Sequence, residues 1–233
     1  VDANAIGEMV SNDPLMTLKV LSYAATHRPA RVVTDTETVT ATLVMMGISP
    51  FFRVFGPQPT TAQRLAAHPE ALDGLKEVIQ RAHRGANFAL GFAVHRMDPD
   101  APVIHEAALL HDFAEMLLWC HAPSLALRIR QAQRADPTLR SAAIQQEVLG
   151  IQLADLQQAL MKAWRLPELL IRISDDHHAE RASVRNVLLA VRLARHTAGG
   201  WDNAAIPDDV ADIAALLNLS AGAALHLVRS IEA

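Results

Sequence analysis

Cysteine and aromatic residues are scarce in this chain, and each shortage removes a class of protein. Cys120 is the only cysteine in 233 residues. A single thiol cannot close an intramolecular disulfide, so a fold stapled for an oxidising compartment is excluded. Cys120 also lies in the apolar run Met116-Leu117-Leu118-Trp119-Cys120, the setting of a buried structural thiol rather than a nucleophile. Aromatics form 4% of the chain against 51% apolar residues, so the interior must be built mostly from Ala, Leu, Val, Ile and Met. Such a composition favours close helix packing over sheets, which draw on β-branched and aromatic side chains. No run of Lys and Arg occurs and the net charge is −4, which argues against a nucleic-acid partner dependent on a concentrated basic face. No stretch reaches the ~18 apolar residues of a membrane span. The opening Val1-Asp2-Ala3-Asn4 has neither the basic start nor the apolar core of a signal peptide. A cytoplasmic location is expected, with no membrane partner. With Val at position 1, the numbering is expected to begin inside a longer protein.

Helical periodicity runs through nearly all of the chain. Ile6, Met9 and Val10 form an apolar stripe that stops at Ser11-Asn12. Asp13-Pro14 then reads as a helix start, with Asp13 as N-cap and Pro14 at the first helical position. That helix gives out near Arg28-Pro29, and Thr34-Asp35-Thr36-Glu37 fits a capping box for a third helix closed around Gly47. Gly56 and two prolines between Phe51 and Pro59 mark a joint. The expected organisation is therefore an N-terminal helical lobe over 1–58 and a larger helical lobe with C-terminal helices over 59–233. A buried helix is expected through Ala107, Leu110, Phe113 and Leu117; Asp136-Pro137 and Pro167 open further helices, and Gly150 separates two. Trp119 and Trp164 lie in apolar helical contexts and should be buried. No strand pattern or repeat is present, so the fold class is all-α, with roughly ten to twelve helices.

Two groupings among the eleven histidines stand out. His111-Asp112 follows Ala107-Ala108-Leu109-Leu110, where two polar groups are costly unless they bind each other or a ligand. His177-His178 follows Asp175-Asp176. Imidazoles and carboxylates are ligands of divalent first-row metals.

The segment Ala107-Ala108-Leu109-Leu110-His111-Asp112 resembles the helix that names the HD metal-dependent phosphohydrolases. The wider chain, over roughly residues 5–200, resembles the HDOD family, the HD-related output domains of bacterial signalling proteins. Ser11-Asn12-Asp13-Pro14-Leu15, Met46-Gly47, Glu147-Val148-Leu149-Gly150, Trp164-Arg165-Leu166-Pro167 and His177-His178 occur in that family's order. The resemblance implies an HD-like helical bundle. It also implies a partner signalling protein, or an upstream receiver or sensor domain, with a possible small-molecule ligand between the lobes.

Carried over position by position, the metal ligands of catalytic relatives fall on His83, His111, Asp112 and His177, with His178 as a further candidate. Three expected groups are replaced: the mid-chain His by Leu153, the late Asp by Arg195, and the Lys after the pair by Glu115. Arg195 is expected to stand in for the metal, pairing with Asp112 and holding His111. The resulting reading is a non-catalytic signalling output or adaptor domain with a degenerate metal site and no cofactor. The alternative is a metal-dependent phosphohydrolase using Mn, Fe or Ni on a nucleotide or cyclic dinucleotide.

Overall fold

A computed structural model describes residues 2–27, 36–136 and 138–232. The helix end at Arg28-Pro29, the caps Thr34 and Asp35, and Pro137 lie outside these residues. In chain order the described elements are α1 (Ala3–Val10), α2 (Pro14–Thr26), α3 (Val39–Met46), α4 (Ile48–Val54), α5 (Thr61–Arg64), α6 (Pro69–His95), α7 (Ala101–Leu109) and α8 (Phe113–His121). They continue with α9 (Pro123–Ala135), α10 (Ser141–Leu149), α11 (Leu153–Ala163), α12 (Glu168–Ile173), a 3₁₀ turn at Asp176–His178, α13 (Ala182–His196), α14 (Ile206–Leu217) and α15 (Ala221–Ile231). No β-strand occurs among the described residues, and the protein is all-α.

The helix boundaries follow local chemistry. The Asp13 carboxylate accepts the Met16 N–H at 3.0 Å, and Pro14 occupies the first helical position of α2. Thr38 caps α3 through the Ala41 N–H, and Gly47 ends it at φ +83°, where a side chain would be strained. Gly150, in the left-handed region, separates α10 from α11. The joint expected from Phe51 onward begins later, because α4 runs to Val54. Phe51 and Phe55 lie one turn apart and bury their rings, and Pro50 sits in the first turn, where its missing N–H is not needed. Helices outnumber the expected ten to twelve, since α4 and the split between α7 and α8 add elements.

The 27-residue α6 is the spine of the molecule. Its apolar stripe, including Val78, Ala82, Ala86, Ala89 and Phe92, packs against α13, α7 and α8. Small residues bring these helices close. Gly85 faces the α13 backbone at Val191, and Gly74 lies directly beneath the Trp119 ring. Trp119 is buried, whereas Trp164 is half-buried with its ring 5.9 Å from Phe113. At the N-terminal end α1 and α2 pack on α3, and α2 also meets α8. The last two helices pack on each other, α14 also lying against α13 and α15 against α6. No single helix among the described residues is long and apolar enough to cross a membrane.

Candidate functional site

His111 and Asp112 do not sit inside one helix, as the apolar spacing implies. They lie in the break between α7 and α8, with Asp112 at the N-cap position of α8. The Asp112 side chain makes no capping bond there. Its carboxylate turns instead toward α6, where Arg81 donates to Oδ2 from Nε at 3.1 Å and from Nη2 at 2.9 Å. The same Nη2 donates to Glu115 Oε2 at 2.8 Å, one turn along α8. His111 Nδ1 lies 3.1 Å from Asp112 Oδ1, and His111 Nε2 lies 3.3 Å from both oxygens of Asp176. The result is an alternating chain of charges, Glu115, Arg81, Asp112, His111 and Asp176, drawn from α6, the helix break, α8 and the 3₁₀ turn.

The electrostatics follow from this order. Burial opposes the charge on His111, but its bonds to Asp112 and Asp176 and their charges outweigh burial and push the imidazole up to about 9. With a carboxylate at each ring nitrogen, His111 is the doubly protonated donor. Burial would raise Asp112, yet the hydrogen bond from His111 and the Arg81 charge hold it well below the usual carboxylate range. Arg81 loses solvation on burial but gains more from Asp112 and Glu115, so its guanidinium pKa rises further.

The other expected site residues are distributed differently. Arg195 Nη2 stands 3.7 Å from Asp112 Oδ1 with its side chain 53% exposed, a looser contact than that of Arg81. His111 is held by the two aspartates rather than by Arg195. His83 does not line the site; it faces His105 of α7, whose pKa is lowered by burial and by the His83 charge. Two residues along a helix are about 200° apart, so with Arg81 facing Asp112, His83 must face away. His177 is 80% exposed and reaches only Asp155 at 3.8 Å, while His178 pairs with Glu180 at 3.1 Å. Within that turn it is Asp176 that points inward. Among the described residues, no three His, Cys, Asp or Glu side chains converge on a point suited to a metal ion.

Arg81 and Asp176 were the residues that motif reasoning passed over. The signal for Arg81 was present as helix phase: Gly74, Val78, Arg81 and Gly85 share one stripe of α6, next to the buried Ala82. Asp176 carried no comparable signal, because a 3₁₀ turn has no side-chain period to read.

A cavity of about 430 Å³ opens over this charge chain, walled by α6, α8, α9, α10 and α11. Its cationic lining is Arg81, His111, Arg130 and Arg195. Its anionic lining is Glu77, Asp112, Glu115 and Asp176, so the two signs balance. Neutral polar lining comes from Gln133, Ser141, Gln145, Gln152 and Gln157. Leu153 of α11 is buried in the same wall, at the place where the resemblance calls for a histidine.

An all-helical bundle with a His-Asp step at a helix break defines an HD-type domain. Within that class the chain belongs to the HDOD domain family, whose model matches residues 1–180. The fold is similar to that of the MmoQ response regulator of Methylococcus capsulatus str. Bath, at 18% identity and TM-score 0.72, over 98% of this chain and 89% of that one. It is also similar to an HDOD domain protein of unknown function from Geobacter sulfurreducens, at 13% identity and TM-score 0.52, over 100% and 86% of the two chains. A protein of Shewanella amazonensis SB2B with a provisional phosphohydrolase name is 18% identical with TM-score 0.52, over 98% and 81%. No curated protein matches the chain by sequence.

Proposed function

We propose that this protein is a non-catalytic signal-transduction output or adaptor domain of the cytoplasm, in which the HD-type metal position is taken over by an internal ion-pair chain. Membership of the HDOD family, and the fold shared with a response regulator, support the signalling role. The expected partner is a signalling protein or an attached receiver or sensor domain, reached through protein contacts. The N-terminal lobe over 1–58 and the larger lobe over 59–233 are the units such contacts would move against each other.

One observation carries the non-catalytic part: the Arg81 guanidinium is hydrogen-bonded to Asp112, the carboxylate that a metal would need free, and is anchored there by a further bond to Glu115. The residues present do not fit a divalent ion. A fixed positive charge at ~5 Å from such an ion, at an effective dielectric of ~20, repels it by about 7 kcal/mol before the offset of its own carboxylate partners. An imidazolium at His111 has no lone pair to give, and Arg195 adds a second cation where the resemblance calls for a carboxylate.

The test is an assay with cyclic dinucleotides and generic phosphoesters in the presence of Mn²⁺, Fe²⁺ or Ni²⁺. No turnover is expected. Hydrolysis that disappears in Asp112→Ala would establish the metal-dependent phosphohydrolase instead.

A further inference from the structure

We propose that the groove between α2 and the face formed by α5 and α8 binds a dissolved medium-chain carboxylate, an anionic head on a hydrocarbon tail. The groove, of about 730 Å³, is within the size range of small-molecule sites and shares no residue with the cavity over the ion-pair chain. Its floor is Leu15, Met16 and Leu18 of α2, Ile79 of α6, Leu117 of α8 and Trp164 at the end of α11. All but Leu18 are only half-buried: each packs on the core with one part and borders the groove with the rest. Trp164 is half-buried for this reason, its ring lying 5.9 Å from that of Phe113 on the inner side. Apolar surface from four helices, gathered in one concavity, is what a hydrocarbon chain would remove from water.

The charge of the ligand follows from the rim. Lys19 of α2 and Arg64 of α5 both line the groove, and neither has a carboxylate partner among the described residues. Lys19 donates to the Gln58 amide oxygen at 2.5 Å. Arg64 donates to the Cys120 carbonyl at 3.3 Å and to His121 Nδ1 at 3.0 Å, which must accept because a guanidinium can only donate. The lining holds one carboxylate, Asp13, already engaged by the Met16 N–H as the N-cap of α2. Two cations held only by neutral groups thus give the groove a positive mouth, on a chain whose net charge is −4. A neutral lipid would leave these cations unmatched, and a polyphosphate would leave the apolar floor uncovered. One carboxylate on a hydrocarbon chain answers both.

The experiment uses the intact chain, with thermal melts and calorimetric titration against octanoate, decanoate, dodecanoate and decanol, each below the concentration at which it aggregates. The acids should raise the melting midpoint, as any ligand of the folded state must. Affinity should rise about twofold to fourfold with each added methylene, since each is withdrawn from water. The double variant Lys19→Gln/Arg64→Gln should weaken decanoate about tenfold and leave decanol within about twofold of wild type. Both side chains are exposed, so the variant should fold. If it does not, decanoate and decanol titrated into wild type at low and high salt decide, because salt should weaken the acid alone. No decanoate binding at millimolar concentration overturns the proposal. So does an affinity indifferent to chain length, or an equal effect of the double variant on acid and alcohol. An amphipathic peptide of Leu and Glu that binds where decanoate does not would assign the groove to a protein segment and overturn it as well.

Discussion

Arg81 places two nitrogens on a single oxygen of Asp112, Nε at 3.1 Å and Nη2 at 2.9 Å, while the other Asp112 oxygen faces His111. The carboxylate at the α7–α8 break is thereby committed to two cations from the chain itself. Both side chains of the pair are largely buried, Arg81 at 18% and Asp112 at 12% exposure. Removing one partner leaves the other charged and unpaired in a poorly solvated site. Arg81→Met should cost about 3 kcal/mol of stability or more by chemical denaturation. The double variant Arg81→Met/Asp112→Asn should recover part of that loss, with a coupling of about 1–3 kcal/mol. Additive losses would mean that the two groups do not act as a pair.

Stability should fall as pH rises from neutral into the alkaline range. His111 is pushed up to about 9 from 6.5, so its contribution is complete below pH 6.5 and lost as pH climbs through 9. The full shift corresponds to up to about 3 kcal/mol. Glu106 works in the same direction from a separate place. Burial pushes its carboxyl up to about 8, against the Val39 N–H it accepts at 2.9 Å, so its contribution is complete below 4.5 and lost by pH 8. Asp112, held low, loses its contribution only on acidification below 3.8. Denaturation midpoints from pH 5 to 9.5 should decline in wild type, less steeply up to pH 8 in Glu106→Gln, and less steeply above pH 6.5 in His111→Gln. A flat wild-type profile would contradict both assignments.

Much of the fold was legible in the sequence, and the reason is visible in particular residues. Asp13-Pro14, Gly47, Gly150 and Pro167 stand at helix ends as local chemistry requires. The break at residues 110–112 was not legible, because the apolar helical spacing of Ala107 and Leu110 resumes at Phe113 and Leu117 and no Gly or Pro marks it. The site was read in outline only. His111 and Asp112 meet as expected, but their partners were chosen by motif where helix phase decides. At α6 the motif favours His83, and the stripe of Gly74, Val78 and Gly85 favours Arg81.

Two glycines of α6 should respond oppositely to alanine. A Cβ at Gly74 would lie 2.6 Å from the Trp119 ring, which is buried and packed under Arg130 at 5.0 Å. Overpacking there costs about 1–3 kcal/mol, only partly offset by the ~1 kcal/mol gained in helix propensity. At Gly91 the added carbon meets the end of the Ile231 side chain, half-buried in the last turn of α15 and free to turn away. Gly74→Ala should therefore lower the melting midpoint and shift tryptophan emission, while Gly91→Ala should be neutral or stabilising. Equal loss in both would show that α15 is held as rigidly as Trp119.

The most direct test of the central claim is metal content. Wild-type protein incubated with excess Mn²⁺ or Fe²⁺, desalted, and analysed for bound metal should retain far less than one ion per chain, because Arg81 occupies the Asp112 carboxylate that a cation needs. Retention of about one ion per chain, abolished by Asp112→Ala, would show that the guanidinium yields the site to a metal and would contradict the account.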